Sequence, residues 1–235
     1  MIKHKHSDNR LEVPEQFLWY LFECLCIAGL VLEQGDSETN PVVDWNTIVH
    51  RDMKMANVFL SLPSETHYRC YPVPKLGDFG AAITLPASSG RIPDGVGLDT
   101  RGTLGNMPIE QNFDLMYDQG RDWPITSKAN VWGVANIVAS LMIKSEGFAE
   151  LETFSEHKEP VFNATHRYSQ ELRDLITGCM RFDPNDRPDL RRVLADIRTH
   201  KLAALPSAPA NGLAWKLNDN TINQEMLDLV GTFRR

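Results

Sequence analysis

Cysteine is scarce in this sequence, and no cluster of like charge stands out. The four cysteines, Cys24, Cys26, Cys70 and Cys179, form no CxxC pair. Their spacing fits neither a zinc site nor a disulfide framework, so a reducing, intracellular compartment is expected, cytoplasmic or nuclear or both. There is no run of Lys and Arg, and the net charge is −7. That balance argues against a general nucleic-acid binder, which would carry a basic face. The amino terminus, MIKHKHSDNR, is polar and reads as no signal peptide. His4 and His6 belong to that loose charged start rather than to a metal pair. Only Phe17 to Leu32 resembles a membrane span. It holds Glu23 and is sixteen residues long, short of the roughly 20 that a span needs. A buried core helix and no membrane partner are expected.

What is present is ordinary globular material. Of 235 residues, 42% are apolar, 23% charged and 9% aromatic, which is enough for a sizeable core. Pro14 stands where a helix can begin and Gly35 where it can close. Gly35 to Pro41 reads as loop. VFLSL (58–62) and YPVPKLGDF (71–79) read as short strands around the polar connection PSETH. Residues 80–127 show no sustained periodicity and are rich in Gly, Pro, Ser and Thr. A stretch that long inside a compact domain points to function or disorder. NVWGVANIVASLMI, Asn130 to Ile143, is apolar nearly all round and is expected to be a helix buried on every side. Ser169 can cap a helix with Leu172, Leu175, Ile176 and Cys179 on one face. Pro188 suits the first turn of another, striped by Leu190, Val193, Leu194 and Ile197. Leu205 to Gly212 reads as a linker, and Ile222, Met226, Leu229 and Val230 follow at helical spacing. The expected fold is mainly α, with a small strand region near its middle.

That strand region carries the densest polar chemistry. VHRDMKMANVFL (49–60) places His50, Arg51, Asp52, Lys54 and Asn57 between apolar residues, and Asp78-Phe79-Gly80 follows. Phosphoryl transfer asks a protein for a group that orients the attacking hydroxyl, a cation near the phosphate and oxygens for Mg²⁺. Asp52 offers the first and Lys54 the second. Asn57 and Asp78 offer hard oxygen ligands, and Gly80 permits a sharp turn after the last of them.

HRDMKMAN followed by GDFG resembles the catalytic and metal-binding loops of eukaryotic protein kinases. RGTLGNMPIEQ (101–111) resembles the family's segment ending in Ala-Pro-Glu. NVWGVA resembles the start of its central helix, and DPNDRP (183–188) a late motif. The likeness runs from about residue 14 to 203 and is nearest to the carboxy-terminal, large lobe of serine/threonine kinases, those of fungi in particular. It implies a kinase domain over 1–203 with a linker and tail over 204–235, and it implies ATP, Mg²⁺ and a protein substrate. By position, Asp52 would be the catalytic base and Lys54 the γ-phosphate partner. Asn57 and Asp78 would be metal ligands, and Phe59 would touch the adenine. Thr103, with Thr100 and Glu110 in the same activation segment, would serve substrate docking. His50, Phe79, Arg51, Gly80, Asn130 and Arg187 would be structural, with Arg187 pairing Glu110. Asp99 could face Arg51 as a built-in negative charge.

The sequence also departs from the family. No GxGxxG lies upstream of His50, and the only lysines before it are Lys3 and Lys5. GVGLDTRG, from Gly95, has the wrong spacing and position for a phosphate loop. The small amino-terminal lobe is therefore expected to be absent. Asn130 replaces an Asp, Asn106 stands where an aromatic is common, and the Asn57-to-Asp78 spacing is longer than usual. The expected function is a serine/threonine protein kinase that transfers the ATP γ-phosphate to protein Ser/Thr, here as an amino-terminally incomplete chain expected to have little activity by itself. The alternative is an inactive pseudokinase or scaffold that grips a regulatory partner.

Overall fold

A computed structural model describes residues 13–37, 40–63, 71–90, 92, 101–118, 120–143, 162 and 168–204. Five helices and two two-stranded sheets make up the body among these residues. His4, His6, the SETH of PSETH (64–67), Cys70, Asp99, Thr100, the GVGLDT stretch and everything beyond 204 lie outside them.

Helix α1 (Glu15–Gln34) follows Pro14, whose carbonyl accepts the N–H groups of Phe17 and Leu18 at 2.9 and 3.2 Å. It is an almost unbroken apolar run, and most of Phe17 through Leu32 is buried, while Val31 is exposed. Its end shows how a buried helix terminus is satisfied. Gly35 turns left-handed at φ 78° and its N–H reaches Val31 O at 2.9 Å. The next three carbonyls also find donors. Leu32 O takes Trp45 Nε1, Glu33 O takes Thr47 Oγ1 and Gln34 O takes Val42 N. This helix is long and apolar enough to cross a membrane, yet 67% of its apolar window is covered by the rest of the chain. Its one mid-helix charge, Glu23, is buried and paired with Arg198 and Lys201.

Strand β1 (Thr47–Val49) pairs antiparallel with β4 (Ile83–Leu85), Thr47 opposite Leu85 and Val49 opposite Ile83. Strands β2 (Val58–Pro63) and β3 (Pro72–Leu76) form the expected hairpin, Val58 opposite Leu76, with an irregularity between Ser61 and Pro63. The short helix α2 is Phe113–Asp118. β1, β4 and α2 were not expected, because three to six residues are too few to show a period.

Helix α3 (Lys128–Ile143) is buried from Ala129 to Met142. Helix α4 (Gln170–Cys179) starts at Ser169, whose side chain accepts Leu172 N–H, and it buries Leu172, Ile176 and Cys179. Helix α5 (Leu190–Ala204) begins two residues later than Pro188 suggested. The Asp189 carboxylate accepts Arg192 N–H at 2.8 Å and acts as the cap, leaving Pro188 just outside. α1 packs on α3, α5 and β3, and α4 bridges α3 and α5. Trp19, Phe22, Trp132, Ile137, Leu172 and Ile197 lie in the resulting core. A smaller cluster of Val49, Leu85, Ile125 and Ala129 sits under β1 and β4.

One buried ion pair fastens the segment before α2 to the turn before α5. Arg187 meets Glu110 through two bonds of 2.6 and 2.9 Å, with both side chains fully buried. Its remaining donors reach the carbonyls of Arg181, Lys128 and Phe182. Removing one partner strands a charge in a dry interior. Arg187→Ala is expected to cost about 3–5 kcal/mol in chemical denaturation. Arg192→Ala, which breaks the exposed pair with Asp196, is expected to leave the midpoint where it was.

Candidate active site

Strand β1 delivers the chain into the polar loop, and α3 holds it there. The Asn130 amide accepts His50 N–H at 3.0 Å and donates to Ile48 O at 2.8 Å. A side-chain amide thus takes the place of a neighbouring strand's peptide group, bonding one acceptor and one donor two residues apart. A carboxylate could not donate to Ile48 O. Asn130 is therefore matched to this backbone rather than a weakened form of an acid. Beyond it, Gly133 lets the 50–57 loop approach, since a Cβ there would sit 2.7 Å from Met53 Cβ.

His50 is fully buried. Its Nε2 donates to Gly77 O at 3.0 Å, and its Nδ1 accepts Asp52 N–H at 3.3 Å. Both contacts suit a neutral ring. Burial pushes its pKa below the ordinary 6.5, against the raising effects of Gly77 O and the Asp52 and Asp78 charges. The ring lies 4.8 Å from that of Phe79. Arg51 is buried at φ 68°, a left-handed conformation that a bulky residue holds only when its surroundings demand it.

Asp52 gathers three side chains. Oδ1 accepts the Thr103 hydroxyl at 2.8 Å, and Oδ2 meets Lys54 Nζ at 3.0 Å and Asn57 Nδ2 at 3.1 Å. Lys54 Nζ also donates to Thr103 Oγ1 at 2.6 Å. Partial burial pushes the Asp52 carboxyl up. The hydrogen bonds from Lys54, Thr103 and Asn57, with the Lys54 charge, outweigh it and hold the group below its usual 3.8. The result is an ionised carboxylate beside a hydroxyl and an ammonium.

Asn57 and Asp78 flank the β2–β3 hairpin at its open end. Asn57 precedes Val58, Asp78 follows Leu76 and Gly77, and Gly77 N–H donates to Asn57 O at 2.9 Å. The ladder is therefore in register at this end, and residues 64–70 between the strands lie outside the described residues. Asn57 is buried, with Nδ2 spent on Asp52 O and Oδ2, which turns its Oδ1 away from them. Asp78, at φ 62°, is exposed, with one oxygen accepting Gly80 N–H at 3.3 Å. Among the described residues no group of three or more His, Cys, Asp or Glu could hold a metal. Mg²⁺ does not require one, because it binds through one or two protein oxygens and completes its shell with water and phosphate. An amide oxygen and a carboxylate oxygen are of the hard type that fits that ion. Phe59 lies across Gly77, where a Cβ would fall 2.6 Å from its ring, and is 45% exposed.

The 101–111 segment faces this loop. Gly102, at φ 123°, abuts Arg51 O, from which a Cβ would be 2.6 Å away. Gln111 Nε2 donates to the same carbonyl at 2.8 Å. Asn106 accepts Asn136 Nδ2 at 2.9 Å in the interior. Glu110 points to Arg187 and not into the site. The structure thus brings Asp52, Lys54, Asn57 and Thr103 into direct contact and places Asp78, Phe79 and Phe59 beside them. Thr100 and Asp99 are outside the described residues. Sequence reasoning passed over Gly102, Gln111, Gly133 and Asn136. A lone Asn inside an otherwise apolar helix was the available signal for Asn136; nothing marked Gln111.

Residues 44–197 match the protein kinase domain family. The chain is 28% identical over 153 residues to the human serine/threonine-protein kinase Nek2, covering 63% of this chain and 30% of that one. It is 29% identical over 147 residues to zebrafish serine/threonine-protein kinase pim-2, covering 63% and 40%. It is 24% identical over 151 residues to serine/threonine-protein kinase ppk30 of Schizosaccharomyces pombe, covering 64% and 15%. The chain therefore spans well under half the length of each of these relatives.

Two outcomes follow from the geometry. His50 favours its neutral form in the folded state, so its contribution is present above 6.5 and is lost as pH falls below that value. Thermal melts between pH 7 and 5 are expected to show a decline that His50→Phe reduces. Asn130→Asp is expected to destabilise the chain by about 1–3 kcal/mol, because it sets a buried carboxylate against Ile48 O; a variant melting at or above the wild type would refute the amide-as-strand account.

Proposed function

The chain belongs to the protein kinase family, and from that premise we propose that it transfers the γ-phosphate of ATP to serine or threonine hydroxyls of proteins. The carrying observation is the Asp52 carboxylate, held ionised and already bonded to a hydroxyl and an ammonium. On this reading residues 1–203 are the kinase domain, the described helices are its large lobe, and 204–235 are linker and tail. The three described cysteines are free thiols, in keeping with an intracellular setting.

Asp52 orients the acceptor hydroxyl and takes its proton as oxygen attacks the γ-phosphorus and the bond to the β-phosphate oxygen breaks, releasing ADP. Lys54 offsets charge on the transferring group, and its place two residues after Asp52 is the serine/threonine form of the loop. Thr103, bonded to both, marks where the acceptor side chain lies. Asn57 and Asp78 hold Mg²⁺, which supplies the cation that neutralises phosphate charge. Phe59 offers an exposed ring to the adenine, and His50 with Phe79 braces the loop carrying Asp78. Arg51, Gly80, Asn130, Glu110 and Arg187 keep these elements in register. Thr100 lies in the same acceptor segment and is a candidate for docking or phosphorylation.

The competing reading is a nucleotide-free scaffold. A scaffold gives no reason for the carboxylate, hydroxyl and ammonium to converge. Asp52→Asn is expected to lower turnover of Mg·ATP on a protein acceptor by about 10²–10⁴ while leaving ATP affinity near wild type. Unchanged turnover in that variant would sink the assignment of Asp52. A wild-type chain that shows no Mg-dependent ATP binding by calorimetry would favour the scaffold.

A further inference from the structure

Asn136 is an anomaly of the central helix. It is 0% exposed in the middle of α3, among Ala135, Ile137 and Val138. Burying an amide is costly unless its bonds are made, and an aliphatic residue there would pack without that demand. The bond it makes leads out of the core. Asn136 Nδ2 donates to Asn106 Oδ1 at 2.9 Å, and Asn106 N–H holds Thr103 O at 2.9 Å in a tight turn. Thr103 in turn donates to Asp52 at 2.8 Å. The chain of contacts returns to the same helix through His50 and Asn130. Between the two amides, Gly133 admits Met53. One helix therefore carries both sides of the site: Asn130 holds the loop bearing the carboxylate, and Asn136 holds the segment bearing Thr103.

We propose that Asn136 and Asn106 form a positioning pair that hangs the acceptor segment from α3 and so sets where an acceptor hydroxyl meets Asp52. Asn106 stands where the family commonly has an aromatic. Its catalytic consequence rests on the kinase reading above; its mechanical consequence does not. Gln111, bonded to Arg51 O, is a second fastening of the same segment and limits how far the segment can move when the pair is broken. The effect is a local loosening of 103–107 rather than unfolding.

Amide hydrogen exchange on the intact 235-residue chain tests this. Asn136→Ala is expected to speed exchange of amides in 103–107 roughly tenfold, the scale of one buried hydrogen bond, with residues 50–57 little changed. The double variant Asn106→Leu with Asn136→Leu removes both polar partners together. It is expected to recover the wild-type unfolding midpoint and still exchange fast in 103–107. In a phosphorylation assay the same double variant is expected to raise KM for the protein acceptor while KM for ATP stays put. Wild-type exchange in 103–107 for the double variant would overturn the proposal, and so would acceleration spread equally over α3. Should the alanine variant fail to fold, the double variant decides. Unchanged phosphate transfer in Asp52→Asn would refute the kinase reading instead, and the exchange result would still judge the pair.

Discussion

Everything at the site depends on a helix that is apolar on all sides and interrupted by two amides. α3 is held in place by burial against α1 and α4, so any side chain projecting from it has a fixed origin. Asn130 uses that fixed origin to complete the bonding of β1, and the strand then presents His50, Arg51 and Asp52 in a set order. A loop of this kind could not stand alone. Arg51 holds a left-handed backbone at φ 68°, at a cost of roughly 1–3 kcal/mol that the surroundings must offset. Gly102 and Gln111 close on the carbonyl of that same residue.

The electrostatics follow from this placement. Asp52 is half-buried, which alone would favour its neutral form. Three donors and one neighbouring cation reverse the balance. His50 goes the other way: its burial is deeper and its two contacts suit an uncharged ring, so it stays neutral and serves as a brace. A charged working group and a neutral supporting one, two residues apart, are separated by what surrounds them and not by residue type.

Much of this was legible in order and spacing. HRDMKMAN with GDFG pointed to the protein kinase family, which the match over residues 44–197 bears out, and the fold brings Lys54, Asn57 and Thr103 onto Asp52. The longer helices were legible because α1 and α3 are nearly continuous apolar runs, while α4 and α5 carry an apolar stripe at helical spacing. The Asn57-to-Asp78 spacing, longer than usual for the family, suggested an extended hairpin, and antiparallel pairing sets Val58 opposite Leu76 at its base. β1, β4 and α2 were not legible, being too short for periodicity to show. Pro188 was placed inside α5, but the Asp189 side chain outcompeted it for the cap.

The amino-acid sequence by itself determined the family, the long helices and the identity of the charged and polar groups, since each of these is written in local composition or in a short ordered motif. Tertiary structure alone decided which of those groups meet. Thr103 lies 51 residues from Asp52 and Asn136 lies 30 from Asn106. Contacts at such separations carry no local signature, because they arise only when packed helices bring distant stretches of chain within hydrogen-bonding reach.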